Sequence, residues 1–199
     1  MSSVVISGDT SGSITLQAPA VAGSSVLTLP TGTGTVTVAG VNSTLVSGTA
    51  QATTSGTFKD FTGIPSWVRR ITIILAGVSW ATSQSPRVQI GTGGVVTTTG
   101  YSGTSGGYSS AGTNVISMGT TGFDVNGNAS TTAHSGVIVL SEVSVSSNTW
   151  VCDANVGQVG SRMLHTGGVV ALSGSLDIVR FTSVAGGTLA TGTINILYE

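Results

Sequence analysis

Charge is what this chain of 199 residues has least of. Lys, Arg, Asp and Glu together make up 7% of it, against about 25% in an average soluble protein. Lys59 is the only lysine, and between Asp9 and Lys59 there is no charged side chain at all. The formal net charge is −1. With no basic excess, the electrostatic footprint of a nucleic-acid-binding protein is missing. A weakly charged surface near neutrality associates rather than repels, so self-association is expected. Disorder is excluded as the reason for so much Gly and Ser, because 39% of the residues are hydrophobic and a disordered chain cannot carry that much apolar surface.

Other shortages narrow the chemistry. Cys152 is the only cysteine, which excludes an internal disulfide and any cysteine-based zinc site; in "NTWVCD" it is expected as a buried, inert thiol. No stretch approaches the ~18 consecutive apolar residues of a membrane span. The start, "MSSVVISGDT", has neither a basic residue nor a long apolar core, so a secretory signal is not expected. The sequons NST at 42–44 and NAS at 128–130 therefore carry no expectation of glycosylation. HExxH, CxxC and GxxxxGK are absent. Glu and Lys, the usual charged helix formers, are scarce, and helices are not expected.

What is abundant is Val, Thr, Ser and Gly, in period-2 alternation. Ile14 and Leu16 share one face of "SITLQ"; Leu27 with Leu29, and Val36 with Val38, repeat the pattern between Pro19 and Pro30 and beyond. Such short strands cannot bury both faces alone. These six residues are the candidate oligomer or docking interface of an N-terminal β-rich arm, residues 1–51. From residue 52 to 199 the texture becomes that of a head domain. Strands are predicted with Ile71, Ile73 and Leu75 on one face, and at 87–90, 114–118, 136–145, 149–152, 168–172, 175–182 and 193–198, separated by turns at 126–128, 173–175 and 185–187. The predicted fold is all-β: a short-stranded arm followed by an antiparallel, jelly-roll-like β-sandwich. Residues 91–114, "GTGGVVTTTGYSGTSGGYSSAGTN", read as a long loop with a strand only at "GVVTTT". Its Tyr101 and Tyr108 are the candidate receptor-contact residues, weighed against simple packing of the loop onto its own domain.

Catalytic patterns are few. Gly103-Thr104-Ser105-Gly106-Gly107 fits GxSxG, and Asp153 and His165 follow in the order Ser, Asp, His. The motif needs a strand leading in and a helix leading out, and "GGYSSAGTN" does not start a helix. "DVNGN" from Asp124 resembles the opening of a calcium loop, but Ala129 and Ser135 stand where Gly and Glu are required; an Asn-Gly hairpin turn is expected instead. His134 and His165 lack a nearby third ligand. On one strand Arg69 and Arg70 point to opposite sides, so one is expected in an ion pair or interface. Trp67, Trp80 and Trp150 are expected to pack in the core or in an interface. No metal and no cofactor is expected.

The stretch "GDTSGSITLQAPAVAGSSVLTLPTGTGTVTV" closely resembles a module near the start of many bacteriophage tail-fibre and virion-surface proteins. "FTGIPSWVRRITIILAGVS", the middle "TTGYSGTSGGY" and the closing "TGTINILYE" are similar to the C-terminal β-domain of such proteins. The resemblance implies a homotrimeric structural protein on the virion surface, made in the host cytoplasm, with an arm that docks on other virion proteins of the capsid or tail, and a β-sandwich head. It carries over no catalytic residue. The chain has no long shaft, and the module begins almost at Met1, so a short appendage or a capsid decoration (cement) protein is expected rather than a long fibre. Two other classes stand beside this. One is a head domain binding host surface glycan. The other is a polysaccharide-degrading enzyme, which would need carboxylates among Asp124, Glu142, Asp153 and Asp177 to meet.

Overall fold

The computed structural model describes residues 3–7, 13–17, 45–109, 112–117, 119–125 and 129–199. The chain divides into two compact units, Met1–Thr37 and Val38–Glu199. In the first, β1 (Ser3–Ser7) and β2 (Ser13–Gln17) pair antiparallel, with Val4 opposite Leu16 and Ile6 opposite Ile14. Of the residues expected to form the arm's interface, Ile14 and Leu16 therefore lie on a strand; Leu27, Leu29, Val36 and Val38 lie outside the described residues.

The second unit is an antiparallel β-sandwich, and among the described residues it has no helix. Its strands are β3 (Val46–Ser47), β4 (Gln51–Ala52), β5 (Phe58–Thr62), β6 (Arg70–Trp80), β7 (Pro86–Thr92), β8 (Val95–Val96), β9 (Ser102–Ser109), β10 (Gly112–Ser117), β11 (Phe123–Asp124), β12 (His134–Ser144), β13 (Thr149–Gln158), β14 (Arg162–Ala171), β15 (Ile178–Ser183) and β16 (Leu189–Tyr198). A nine-stranded sheet runs β10-β9-β14-β13-β12-β6-β16-β3, with β4 also on β16. A five-stranded sheet runs β11-β7-β15-β5, with β8 on β7.

Alternation explains how the two sheets meet. Ile71, Ile73 and Leu75 of β6 point inward, as the sequence predicts, and register with the inward Leu140, Ile138 and Gly136 of β12. Phe61, Val88, Ile90, Phe123 and Phe181 supply the facing layer. Trp80 stacks on Phe181 across the gap, ring centroids 5.9 Å apart. Trp80 and Trp150 are buried, while Trp67 lies partly exposed against Tyr198. Cys152 is buried among them, and burial pushes its thiol pKa up, which keeps it protonated and unreactive.

Two sequence expectations are corrected here. Residues 46–47 and 51, assigned to the arm, pair with β16; Gly48 N–H donates to Ile196 O at 2.8 Å, and the Gln51 side-chain amide donates to Asp60 O at 2.7 Å. The last part of the range 1–51 thus belongs to the sandwich. The stretch 91–114 is not a long loop: β8 covers only Val95–Val96, and Ser102–Ser109 is a full strand between β10 and β14. Gly91 and Gly103 there serve close strand packing, while Gly93, Gly94 and Gly100 take the positive φ of turns. A Cβ on Gly103 would sit 2.3 Å from the carbonyl oxygen of Gly167.

Candidate functional site

The register fixes a lattice of side chains on the outer face of the nine-stranded sheet. One row reads Asn195, Ile74, Val137, Asn155, His165, Gly106 across β16, β6, β12, β13, β14 and β9; the next reads Leu197, Thr72, Val139, Asp153, Gly167, Thr104. Toward β16 the face is aliphatic and hydroxylic, with an Arg70–Glu199 pair at 3.3 Å at its end. Toward β9 it carries Asp153, His165 and Tyr108.

A cavity of about 280 Å³ opens on that second half, lined by Thr104, Ser105, Gly106, Tyr108, Asp153, His165, Thr166 and Gly167. Its floor is low because Gly106 and Gly167 contribute no side chain. Tyr108 is 54% exposed and meets His165 edge to face, centroids 5.4 Å apart and planes at 74°. Asp153 and Thr104 stand on either side of Gly167, one on β13 and one on β9.

Here the three residues of the serine-hydrolase pattern come near one another, yet the sheet separates them. Ser105 is 1% exposed and its hydroxyl lies 2.9 Å from that of Thr166. Thr166 donates its own proton to the carbonyl of Asp124, on the opposite sheet, at 2.8 Å. Ser105 must therefore be the donor to Thr166, and the pair ties the two sheets together. His165, one residue from Thr166, points the other way, to the outer face with Asp153. The chain also runs on past Ser105 as strand to Ser109, not as the helix the motif needs.

The remaining sequence candidates are placed as follows. Tyr101 is not a surface contact: it is 2% exposed, packs edge to face on Phe123 at 4.8 Å, and burial pushes its phenol up to about 12. It completes the core, because aromatic residues in a Gly/Ser-rich stretch are what fasten that stretch to the sheet beneath. The carboxylates are dispersed. Asp124 is bound by Arg87 on the adjacent strand β7 and by the Gly119 N–H. Glu142 pairs with Arg69 at 3.2 Å, and Asp177 accepts from the Gly94 N–H at 3.1 Å. Both arginines of "VRR" are thus in ion pairs within the chain. With Asp124 held by Arg87, its carboxylate cannot open a calcium loop; residues 126–128 of that loop lie outside the described residues. Among the described residues no three His, Cys, Asp or Glu side chains gather as a metal site. His134 is fully buried against Trp80, and desolvation lowers its pKa.

A second cavity, about 380 Å³, lies where the edge strands β3, β4 and β5 leave the sandwich open, floored by Phe61, Ile196 and Tyr198. Its one carboxylate, Asp60, is engaged by Arg180, which leaves the first cavity with the richer chemistry. The meeting of Tyr108, Asp153 and His165 was not legible in the sequence, since it depends on β9 being a strand in register with β14. No known protein family, curated protein or solved structure matches this chain.

Proposed function

We propose that this chain is a non-enzymatic structural protein of a bacteriophage virion, a short tail appendage or capsid decoration protein. It assembles as a homotrimer on the particle surface and docks there by its N-terminal arm. The observation that carries the reading is the outer face of β6, β12 and β16. Ile74, Val137, Val139 and Leu197 cluster there around Thr72, with Val137 40% exposed, and the charged groups stand at the margins, Asp153 beside Val139 and the Arg70–Glu199 pair at the end. Exposed patches of this kind mark protein interfaces. The scarcity of charge over the whole chain supports the same reading, as does the likeness of its leading module to those of phage surface proteins.

The test is sedimentation of the full chain at micromolar concentration, with Val137→Glu alongside. A trimer for the natural chain and a monomer for V137E, both with the circular dichroism of a β-protein, is the expected result. A monomeric natural chain would refute the assembly. For location, an antibody against the head should decorate intact particles, and Leu27→Asp with Leu29→Asp should reduce incorporation. Unlabelled particles would remove the virion from the reading.

A further inference from the structure

We propose that the depression between β9, β14 and β13 is a binding site for a single uncharged sugar ring. It goes beyond the assembly reading and uses the other half of the sheet face.

A sugar ring has an apolar C–H face and a rim of hydroxyls that both donate and accept. Tyr108 supplies the apolar surface, half-exposed, and the edge-to-face contact with His165 holds its ring in place before a ligand arrives. A ring fixed in advance loses little freedom on binding. Asp153 supplies an acceptor-only carboxylate, which can take two neighbouring O–H groups in charge-assisted bonds. Thr104, across Gly167, supplies a hydroxyl that can donate to a ring or hydroxyl oxygen. Adjacent strands are about 4.8 Å apart, so Asp153 and Thr104 flank a notch roughly 10 Å wide whose floor is the bare backbone of Gly167.

What the site lacks selects the class. No Lys or Arg lines it, so a phosphate or a sugar acid would meet the Asp153 carboxylate without a compensating cation. A purely apolar ligand would desolvate that carboxylate without pairing it. The volume, about 280 Å³, lies just below the ~300 Å³ lower bound of drug-sized pockets, which fits one ring of a glycan with the rest of the chain running out over the sheet.

Gly167 gives a test that leaves the fold alone. A Cβ at this position meets nothing within 4 Å, so Gly167→Val fills the notch and adds a residue that strands favour. The full chain, labelled with ¹⁵N, is titrated with the methyl glycosides of glucose, galactose and mannose and, in parallel, with glucuronate and sialic acid. At least one neutral glycoside is expected to shift the Gly106, Tyr108 and Gly167 amides at millimolar concentration, and the acids are expected to shift none. Tyr108→Ala and Gly167→Val should abolish the shifts and Asp153→Asn should weaken them, with melting temperatures unchanged. Absence of shifts with all three neutral glycosides overturns the proposal, and so does retention of the shifts in G167V or equal binding of the acids. Sedimentation of the same samples reports the oligomeric state separately, so a monomer that binds sugar and a trimer that does not are distinct results.

Discussion

The Tyr101 hydroxyl closes a gap in the smaller sheet: it accepts from the Ile90 N–H at 2.8 Å and donates to the Ile90 carbonyl at 3.1 Å. On this edge β11 pairs β7 at Val88 and β8 pairs it at Gly91, so Ile90 falls between two ladders. The Ile90 carbonyl also accepts from the Thr97 N–H at 2.9 Å, so what the phenol alone supplies is an acceptor for the Ile90 N–H.

Tyr101→Phe should therefore destabilise the fold without altering its shape. The Ile90 N–H would be left buried and unpaired, at a cost of about 1–3 kcal/mol. Urea denaturation should show a lower midpoint with an unchanged slope. Since burial raises the phenol pKa to about 12, the hydroxyl stays protonated and this contribution should be constant from neutral pH to about pH 9. A neutral Y101F variant would mean that water replaces the hydroxyl.

Glycines 103 and 167 face each other's strands yet should answer alanine in opposite ways. The Gly103 Cβ would lie 2.3 Å from the Gly167 carbonyl oxygen and 2.6 Å from the Gly168 Cα, both backbone atoms that cannot step aside. Gly103→Ala should force β9 from β14 and lower the melting temperature by several degrees, at about 2–4 °C per kcal/mol for a chain of this size. At Gly167 the new Cβ meets nothing. Gly167→Ala should be neutral, or stabilising by about 0.4–1 kcal/mol through a less flexible unfolded chain. Equal losses in both variants would contradict the close approach of β9 and β14.

How much of this was legible beforehand depends on where side chains alternate. Strand β6, with Ile71, Ile73 and Leu75, and the closing strand β16 follow a clear apolar period, and the all-β sandwich follows from such runs. In the far half of β13 and the near half of β14 the period is kept by Ala154, Val156 and Leu164 inward, but it is diluted. There the outward positions are Asp153, Asn155, Gly157, His165 and Gly167, and the inward ones include Thr166 and Gln158, so the hydrophobic signal fades where the strands are most regular. Strand β9 is hidden for a related reason, since glycines demanded by close strand packing look like those demanded by turns. The site proper was legible only as separate residues, Tyr108 on one motif and Asp153 and His165 on another. Their meeting is a property of register across three strands, which local pattern does not encode.

His134 should make stability fall on mild acidification. It is fully buried between Trp80 and the Gln158 amide, and desolvation lowers its pKa from the ordinary 6.5. Below about pH 6.5 the unfolded chain takes up a proton at this residue that the folded chain resists. The unfolded state then binds more protons, so stability rises with pH across that interval and is lost as pH falls through it. Melting temperatures measured between neutrality and about pH 5.5 should decline for the natural chain, and His134→Gln should flatten the slope whatever its effect on absolute stability. An unchanged slope in H134Q would remove His134 as the source of the acid sensitivity.

Two bidentate arginine–carboxylate pairs, one in each setting, should rank by burial. Arg87 holds Asp124 across β7 and β11, with side chains 14% and 5% exposed, and Asp124 also accepts from Gly119. Arg180 holds Asp60 across β15 and β5 with both bonds at 2.7 Å, but at 27% and 23% exposure, its guanidinium 4.0 Å above the Phe58 ring. Removing Arg87 leaves a desolvated carboxylate with only the Gly119 N–H as partner, which costs about 3–5 kcal/mol. Removing Arg180 leaves Asp60 able to reach water, so the loss should be nearer 1 kcal/mol, with a further contribution from the cation–ring contact of about 0.5–1 kcal/mol. Arg87→Met should therefore be the more damaging variant, and Asp124→Asn added to it should recover part of the loss by removing the stranded charge. Urea denaturation of R87M, R180M and the R87M/D124N double variant checks the order. If R180M proves the worse, the edge strand β5, rather than the buried pair, governs how the smaller sheet is held.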